Sequence, residues 1–146
     1  MPPELIELSK LDKNPKTQLR ASIDPRFADE YSEIYAVSPS IKKVTLPPPP
    51  LVGRLPDGTL LIVDGWQRIT GAEKAQRTHL ECIVQDLASL DTAILHACGM
   101  NETHGARRTA ADRAKAVLEA RRLLPNANVR QIEQITNVSK SQVANI

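Results

Sequence analysis

Residues 51–90 read LVGRLPDGTLLIVDGWQRITGAEKAQRTHLECIVQDLASL, and this stretch decides the fold class. Two apolar runs flank Pro56-Asp57-Gly58, a strong turn signal. They predict a hairpin of Leu51–Arg54 with Leu60–Val63. Asp64-Gly65 ends the second strand. WQRITGAEKAQ has helical composition and predicts a helix to about Arg77, after which HLECIVQDL returns to strand. Strand, turn, helix, strand is a frame on which phosphate sites are often built, because a helix N-terminus presents free amides and partial positive charge.

Upstream, ELIELSKL predicts a short strand and KNPKTQLR a turn. Asp24 is placed to cap a helix whose first position is Pro25, running to about Tyr35. Pro47 to Pro50 exclude regular helix and favour an extended rigid connector. A recognition motif for a partner is the lesser alternative.

Downstream, everything predicts helix. Asp91 is placed to cap DTAILHACGMN. Thr109 is placed to cap AADRAKAVLEARRLL, with Asp112 three residues on, close to a capping box. Pro125 ends that helix. VRQIEQIT, NVS and KSQVANI then predict two short helices joined by a tight turn. With Asn137 at the turn, where a left-handed conformation is needed, Ile132, Ile135, Val138, Val143 and Ile146 fall inward. Lys140, Ser141, Gln142 and Asn145 fall on the outer face of the second helix, within reach of base edges or phosphates in a major groove. Glu133 departs from the helix-turn-helix pattern, standing where a small residue is usual. The alternative is an ordinary helical hairpin packed on the core. Ile146 has no C-cap after it, so the natural protein is expected to be longer.

The composition agrees with a folded domain. The 146 residues are 41% apolar and 25% charged, which excludes global disorder. Aromatics are 3%, too few for a surface that grips single strands by stacking bases. The net charge of +2 conceals an asymmetry. Residues 1–100 carry 11 Lys and Arg against 13 Asp and Glu, whereas residues 101–146 carry 8 against 4. An anionic partner is therefore expected on the helical third. Two cysteines exclude a disulfide scaffold, and no CxxC or Cys/His cluster suggests zinc. With no signal-peptide layout and no apolar run near the roughly 20 residues that span a bilayer, a soluble cytoplasmic protein with no membrane partner is expected.

Two loops carry candidate chemistry. In Asp64-Gly65-Trp66-Gln67-Arg68, Gly65 permits close backbone approach and Arg68 has a fork that suits phosphate. Trp66 either packs on the core or stacks on a base. In Asn101-Glu102-Thr103-His104-Gly105-Ala106-Arg107-Arg108, the residues Asn101, Thr103, His104, Arg107 and Arg108 are all phosphate ligands in type. His104 is a candidate general base or a plain hydrogen-bonding residue. The paired arginines are phosphate ligands or solvated charge.

NPKTQLR, DGWQR after a strand, and NETHGARRT before a long helix and a helix-turn-helix occur in an order that resembles the ParB partition-protein N-terminal domain. That superfamily also includes sulfiredoxin and ParB-like nucleases, and the resemblance covers roughly residues 4–146. The NxxHGxRR loop looks more like ParB-like proteins of plasmids, phages and mobile elements than like chromosomal ParB. The resemblance implies an α+β fold, a ParB/sulfiredoxin-like small mixed sheet with helices over residues 1–90. An all-helical helix-turn-helix region, expected to be cut short, would follow over residues 91–146.

It also implies roles. Gly65 and Arg68 match a Gly-x-x-Arg loop that holds the phosphates of a nucleoside triphosphate, usually CTP. Trp66 and Gln67 depart from that loop's acidic and basic pair. Asn101 matches an asparagine that helps to hold Mg2+ and phosphate, but the glutamate that normally precedes it is Met100. Met cannot bind a hard cation, which argues against metal-dependent hydrolysis and leaves nucleotide binding. Arg20 matches a position close to the nucleotide. Sulfiredoxin chemistry is excluded, because Gly65–Arg68 holds no cysteine and Cys82 and Cys98 are expected to be packing residues. The function implied is a DNA-binding protein with a nucleotide-sensing domain, acting in plasmid or chromosome partition or in transcriptional control. Arg107, Arg108, Arg130, Lys140, Ser141, Gln142 and Asn145 would contact double-stranded DNA. One alternative is a ParB-like nuclease or nucleoside triphosphatase, with Asn101, His104 and Asp64 as catalytic candidates. Another is an interaction module that docks a partner or a second copy through the four prolines and the helix at 109–124.

Overall fold

A computed structural model describes residues 2–37, 46–100 and 107–146. Among the described residues, five strands and six α-helices follow in the order β1 (Glu4–Glu7), β2 (Leu11–Asp12), α1 (Pro25–Ala36), β3 (Leu51–Arg54), β4 (Leu60–Asp64), α2 (Trp66–Lys74), β5 (His79–Asp86), α3 (Leu90–Cys98), α4 (Ala110–Leu123), α5 (Val129–Thr136) and α6 (Lys140–Ala144). Short 3-10 turns at Leu8–Lys10 and Pro15–Thr17 fill out the N-terminal region.

The hairpin forms where the sequence predicts it. Leu55 N–H donates to Thr59 O (2.9 Å), Gly58 N–H to Leu55 O (2.9 Å) and Thr59 N–H to the Asp57 carboxylate (2.9 Å). Gly58 takes φ +90°, which a side chain would resist. The sheet order is β1-β5-β3-β4-β2. β3 pairs antiparallel with β4 and parallel with β5, β1 pairs antiparallel with β5, and β2 pairs parallel with β4. The short β2 begins at the end of ELIELSKL, and its two residues carry no period by which the sequence could announce it.

β4 is an inner strand, between β3 and β2, and is apolar on both faces. Ile62 joins Val52, Cys82 and Val84 under α1 and α2, with Tyr31, Tyr35 and Ile69. Leu61 and Val63 point the other way, onto Ala93 and Ala97 of α3. α3 has a second buried stripe, Ile94 and Cys98, which meets Ala116 of α4. The α5–α6 pair is not a lone unit: Ile132, Val138 and Val143 pack with Val117 and Ala120 of α4.

Several expectations need correction. α2 ends at Lys74, not near Arg77, because Gln76 turns left-handed (φ +62°) and Arg77 N–H closes back on Ala72 O (3.0 Å). α3 is capped by Ser89, whose hydroxyl accepts from Thr92 N–H (3.2 Å), and Asp91 stands in the first turn instead. Ile146 is 37% exposed rather than inward. The Thr109–Asp112 arrangement is a complete capping box.

Candidate functional site

A cleft opens where four segments meet. The 3-10 turn after Asn14 brings Thr17 to Arg20. The β4–α2 junction brings Asp64 to Gln67. The end of α3 brings Ala97 and Met100, and α4 with the residue before its cap brings Arg108, Asp112 and Ala116. The free space between the walls is about 40 Å³, and about 510 Å³ with the open mouth counted. Small-molecule sites are typically about 300–1,000 Å³, so a ligand would sit across the mouth.

Gly65 makes the junction possible. Its φ is +102°, and a Cβ there would lie 2.8 Å from the Pro50 Cβ. Gly65 also caps α2 without a side chain, whereas Asp24, Ser89, Thr109, Asn128 and Ser139 each cap their helix with an oxygen. The α2 end at the cleft is therefore the one among the described helices with no capping side chain. Trp66 and Gln67 follow directly, both half-buried. The Trp66 indole Nε1 and the Gln67 Oε1 are buried with no hydrogen-bond partner among the described residues. Buried polar atoms in that state are costly, and here they line a cleft.

Arg68 is turned elsewhere. It is 5% exposed. One Nη donates to Pro48 O (2.7 Å) and Pro49 O (3.4 Å), and the other pairs with the Asp64 carboxylate (3.2 Å). Pro50 O accepts from Ile83 N–H (2.8 Å). The proline run, expected to be a rigid connector, is thus tied to β5 and α2.

Arg20 lies on the cleft wall. Its Nη1 donates to Arg107 O (2.8 Å) and to Asp112 Oδ2 (3.0 Å). Asp112 Oδ1 accepts from Ala21 N–H (2.7 Å), and Oδ2 also accepts from Thr109 N–H (2.8 Å). Burial pushes this carboxyl up, but the two amides and the Arg20 charge outweigh it and hold it below the usual carboxylate value. Lys115 Nζ donates to Gln18 O (2.8 Å) and Arg20 O (3.1 Å), fastening the same segment to α4.

Arg108 joins two structures. Its Nη1 donates to Cys98 O (2.9 Å) and Met100 O (3.3 Å), and its Nη2 to Thr136 O (2.9 Å). Its Nε is buried with no partner among the described residues. Burial first, and the charge of Arg113 second, draw its pKa below the ordinary arginine value. Arg107 is exposed. Asn101, Thr103 and His104 lie outside the described residues.

The sequence read Asp112 only as a helix cap. Its hold on Arg20 and Ala21 spans some ninety residues and leaves no local signal. Thr17, Gln18 and Ala116 were missed for the same reason. Among the described residues no group of three or more His, Cys, Asp and Glu could hold a metal ion. Burial pushes the Cys82 thiol up to about 11 and the Cys98 thiol up to about 12, so neither is poised as a nucleophile. No described helix is long and apolar enough to cross a membrane.

A second surface lies on α5 and α6. Asn137 turns left-handed between them (φ 56°), and its Nδ2 donates to Gly99 O (2.7 Å). Arg130, Lys140, Ser141, Gln142 and Asn145 are all exposed. Glu133, half-buried, bonds across the turn: Lys140 N–H donates to its carboxylate at 2.7 Å. This is why a long side chain is tolerated where close helix approach predicts a small one.

No protein-family model and no curated protein matches the chain. Solved structures do. The C-terminally truncated chromosome-partitioning protein ParB from Caulobacter crescentus, complexed to the centromeric parS site, superposes with a TM-score of 0.63 at 20% identity. The match covers 97% of this chain and 68% of that one. The fold is ParB-like. The same Caulobacter crescentus protein complexed with CTP-gamma-S matches with a TM-score of 0.51 at 23% identity, over 98% of this chain and 75% of that one. Within this ParB-like fold, the cleft and the α5–α6 unit meet at Arg108, which lines the first and bonds to the last residue of α5.

Proposed function

We propose that this chain is a DNA-binding protein of ParB type, in which α5 and α6 form a helix-turn-helix and the α/β cleft takes a nucleoside triphosphate. The observation that carries the reading is the fold match to ParB bound at parS, together with the exposed polar face of α6. Lys140, Ser141, Gln142 and Asn145 supply donors and acceptors for base edges and phosphates. Arg130 adds a cation on α5. Plasmid or chromosome partition, or transcriptional control, would follow from such binding.

The neighbour that holds CTP-gamma-S supports the nucleotide half. So do the chemical traits of the cleft: an uncapped helix start, the Arg20 and Arg108 cations, and buried polar atoms on Trp66, Gln67 and Arg108. These residues fit an anion and a base. CTP is the nucleotide proposed, with Mg2+ as its companion ion. Asp64 and Asp112, the carboxylates on the wall, are already bonded to Arg68 and Arg20. They would hold no hard cation without giving up those partners, so the ion's ligands would come mainly from the triphosphate itself.

Duplex binding measured against salt tests the reading. Log affinity should fall linearly with log salt, with a slope near −0.9 per phosphate contacted. Lys140→Ala should weaken binding to every sequence and reduce that slope by about 1. No duplex affinity at low salt would sink the DNA reading. A Trp66 fluorescence titration with CTP, ATP and GTP, with and without Mg2+, separately tests the cleft.

A further inference from the structure

α6 has five residues, too few to be a stable helix by itself. Two charged side chains from other helices hold its ends. At the start, the Glu133 carboxylate of α5 accepts from Lys140 N–H at 2.7 Å, beside the Ser139 cap, whose hydroxyl accepts from Gln142 N–H at 3.4 Å. At the end, Arg121 of α4 forks onto two carbonyls, Nη2 to Val143 O (3.0 Å) and Nη1 to Ile146 O (2.7 Å). A carboxylate at a helix start and a guanidinium at its end both match the helix dipole. Between these ends α6 buries a single side chain, Val143. With Val143 as the one apolar anchor inside α6, the two charged bonds add to the Ser139 cap and the buried Val138 before it in fixing the helix's orientation.

We infer that Glu133 and Arg121 are positioning residues that set the pose of α6. The consequence for duplex affinity rests on the DNA-binding reading above; the pose does not. Glu133 has a second effect on that surface. Among the described residues it is the one carboxylate lining the groove formed with Val129, Ser139, Lys140, Ser141 and Ala144. It therefore holds α6 through an acceptor atom while opposing phosphates through its charge. Glu133→Gln separates the two, because the amide keeps an acceptor oxygen and loses the charge.

The test uses the whole chain in four forms: wild type, Glu133→Ala, Glu133→Gln and Arg121→Ala. Amide hydrogen exchange is read at residues 140–146, and duplex affinity at one low salt. Glu133→Ala and Arg121→Ala should each speed exchange of those amides and weaken duplex binding about tenfold, as loss of a charge-assisted bond predicts. Exchange in the β3–β4 hairpin should not move. Glu133→Gln should keep wild-type exchange and bind duplex as tightly as wild type or more tightly. The inference is overturned if both alanine variants exchange like wild type at 140–146, or if Glu133→Gln is as defective as Glu133→Ala. If Glu133→Ala does not fold, Arg121→Ala tests the other end alone. A wild type without duplex affinity would sink the DNA reading, while the exchange measurements would still decide the pose.

Discussion

Single residues at the crossings of this fold have large expected effects. Asn137 sits left-handed, which costs most side chains roughly 1 kcal/mol, and it donates to Gly99 O. Asn137→Ala should lower unfolding free energy by about 1–2 kcal/mol in urea titrations, while Asn137→Gly should lose less because the backbone strain is absent. Asp112 brings a pH dependence. Its folded value lies below its ordinary one, so its stabilisation is full above the usual carboxylate range. It is lost as pH falls through the folded value. Wild-type stability should therefore drop in acid, and Asp112→Asn should lack that part of the drop. At neutral pH the same variant should be less stable by about 3 kcal/mol, since it breaks the ion pair of a nearly buried carboxylate with Arg20.

Elements were legible in proportion to how local their causes are. The hairpin, the left-handed turn at Asn137 and the Thr109 cap all follow from residues within a few positions of one another. The start of α3 is ambiguous by two residues in the sequence, because Ser89 and Asp91 are both good caps and nothing local selects between them. The cleft was half legible. Its β4–α2 wall is continuous in sequence. Its Arg20–Asp112 wall exists only because distant segments meet, and Arg68 turns to the prolines for reasons that lie in Pro48 and Pro49. The crossing of α1 on α2 shows the same limit. Gly71 reads as a helix weakness, yet a Cβ there would lie 2.5 Å from the Tyr31 Cβ and 2.9 Å from Ala28 O. Gly71→Ala should therefore destabilise the protein by about 2 kcal/mol, although alanine is the better helix former. Thermal unfolding of the variant checks this.

At the scale of the molecule, the charge asymmetry acquires a location. The basic residues of the last third serve two purposes. Arg108, Lys115 and Arg121 reach backbone carbonyls of other segments and join them together, while Arg113 reaches Arg108 O just before its own helix. Arg130 and Lys140 stay exposed and give the α5–α6 surface its positive character. Arg108→Ala removes bonds to three carbonyls at the junction of α3 and α5. It should lower stability by about 2–3 kcal/mol, and duplex affinity should weaken with it. Equal affinity in the variant would mean that the junction does not govern the DNA-facing surface.

α3 lies under the sheet with one stripe and against α4 with the other. A helix shared in this way makes the two cores melt as one cooperative unit. Calorimetry should accordingly record one heat-absorption peak, with the calorimetric enthalpy equal to the van't Hoff enthalpy. A fragment ending at residue 90 would lose all of α3 but its first residue and leave Leu61, Val63 and Leu87 facing water.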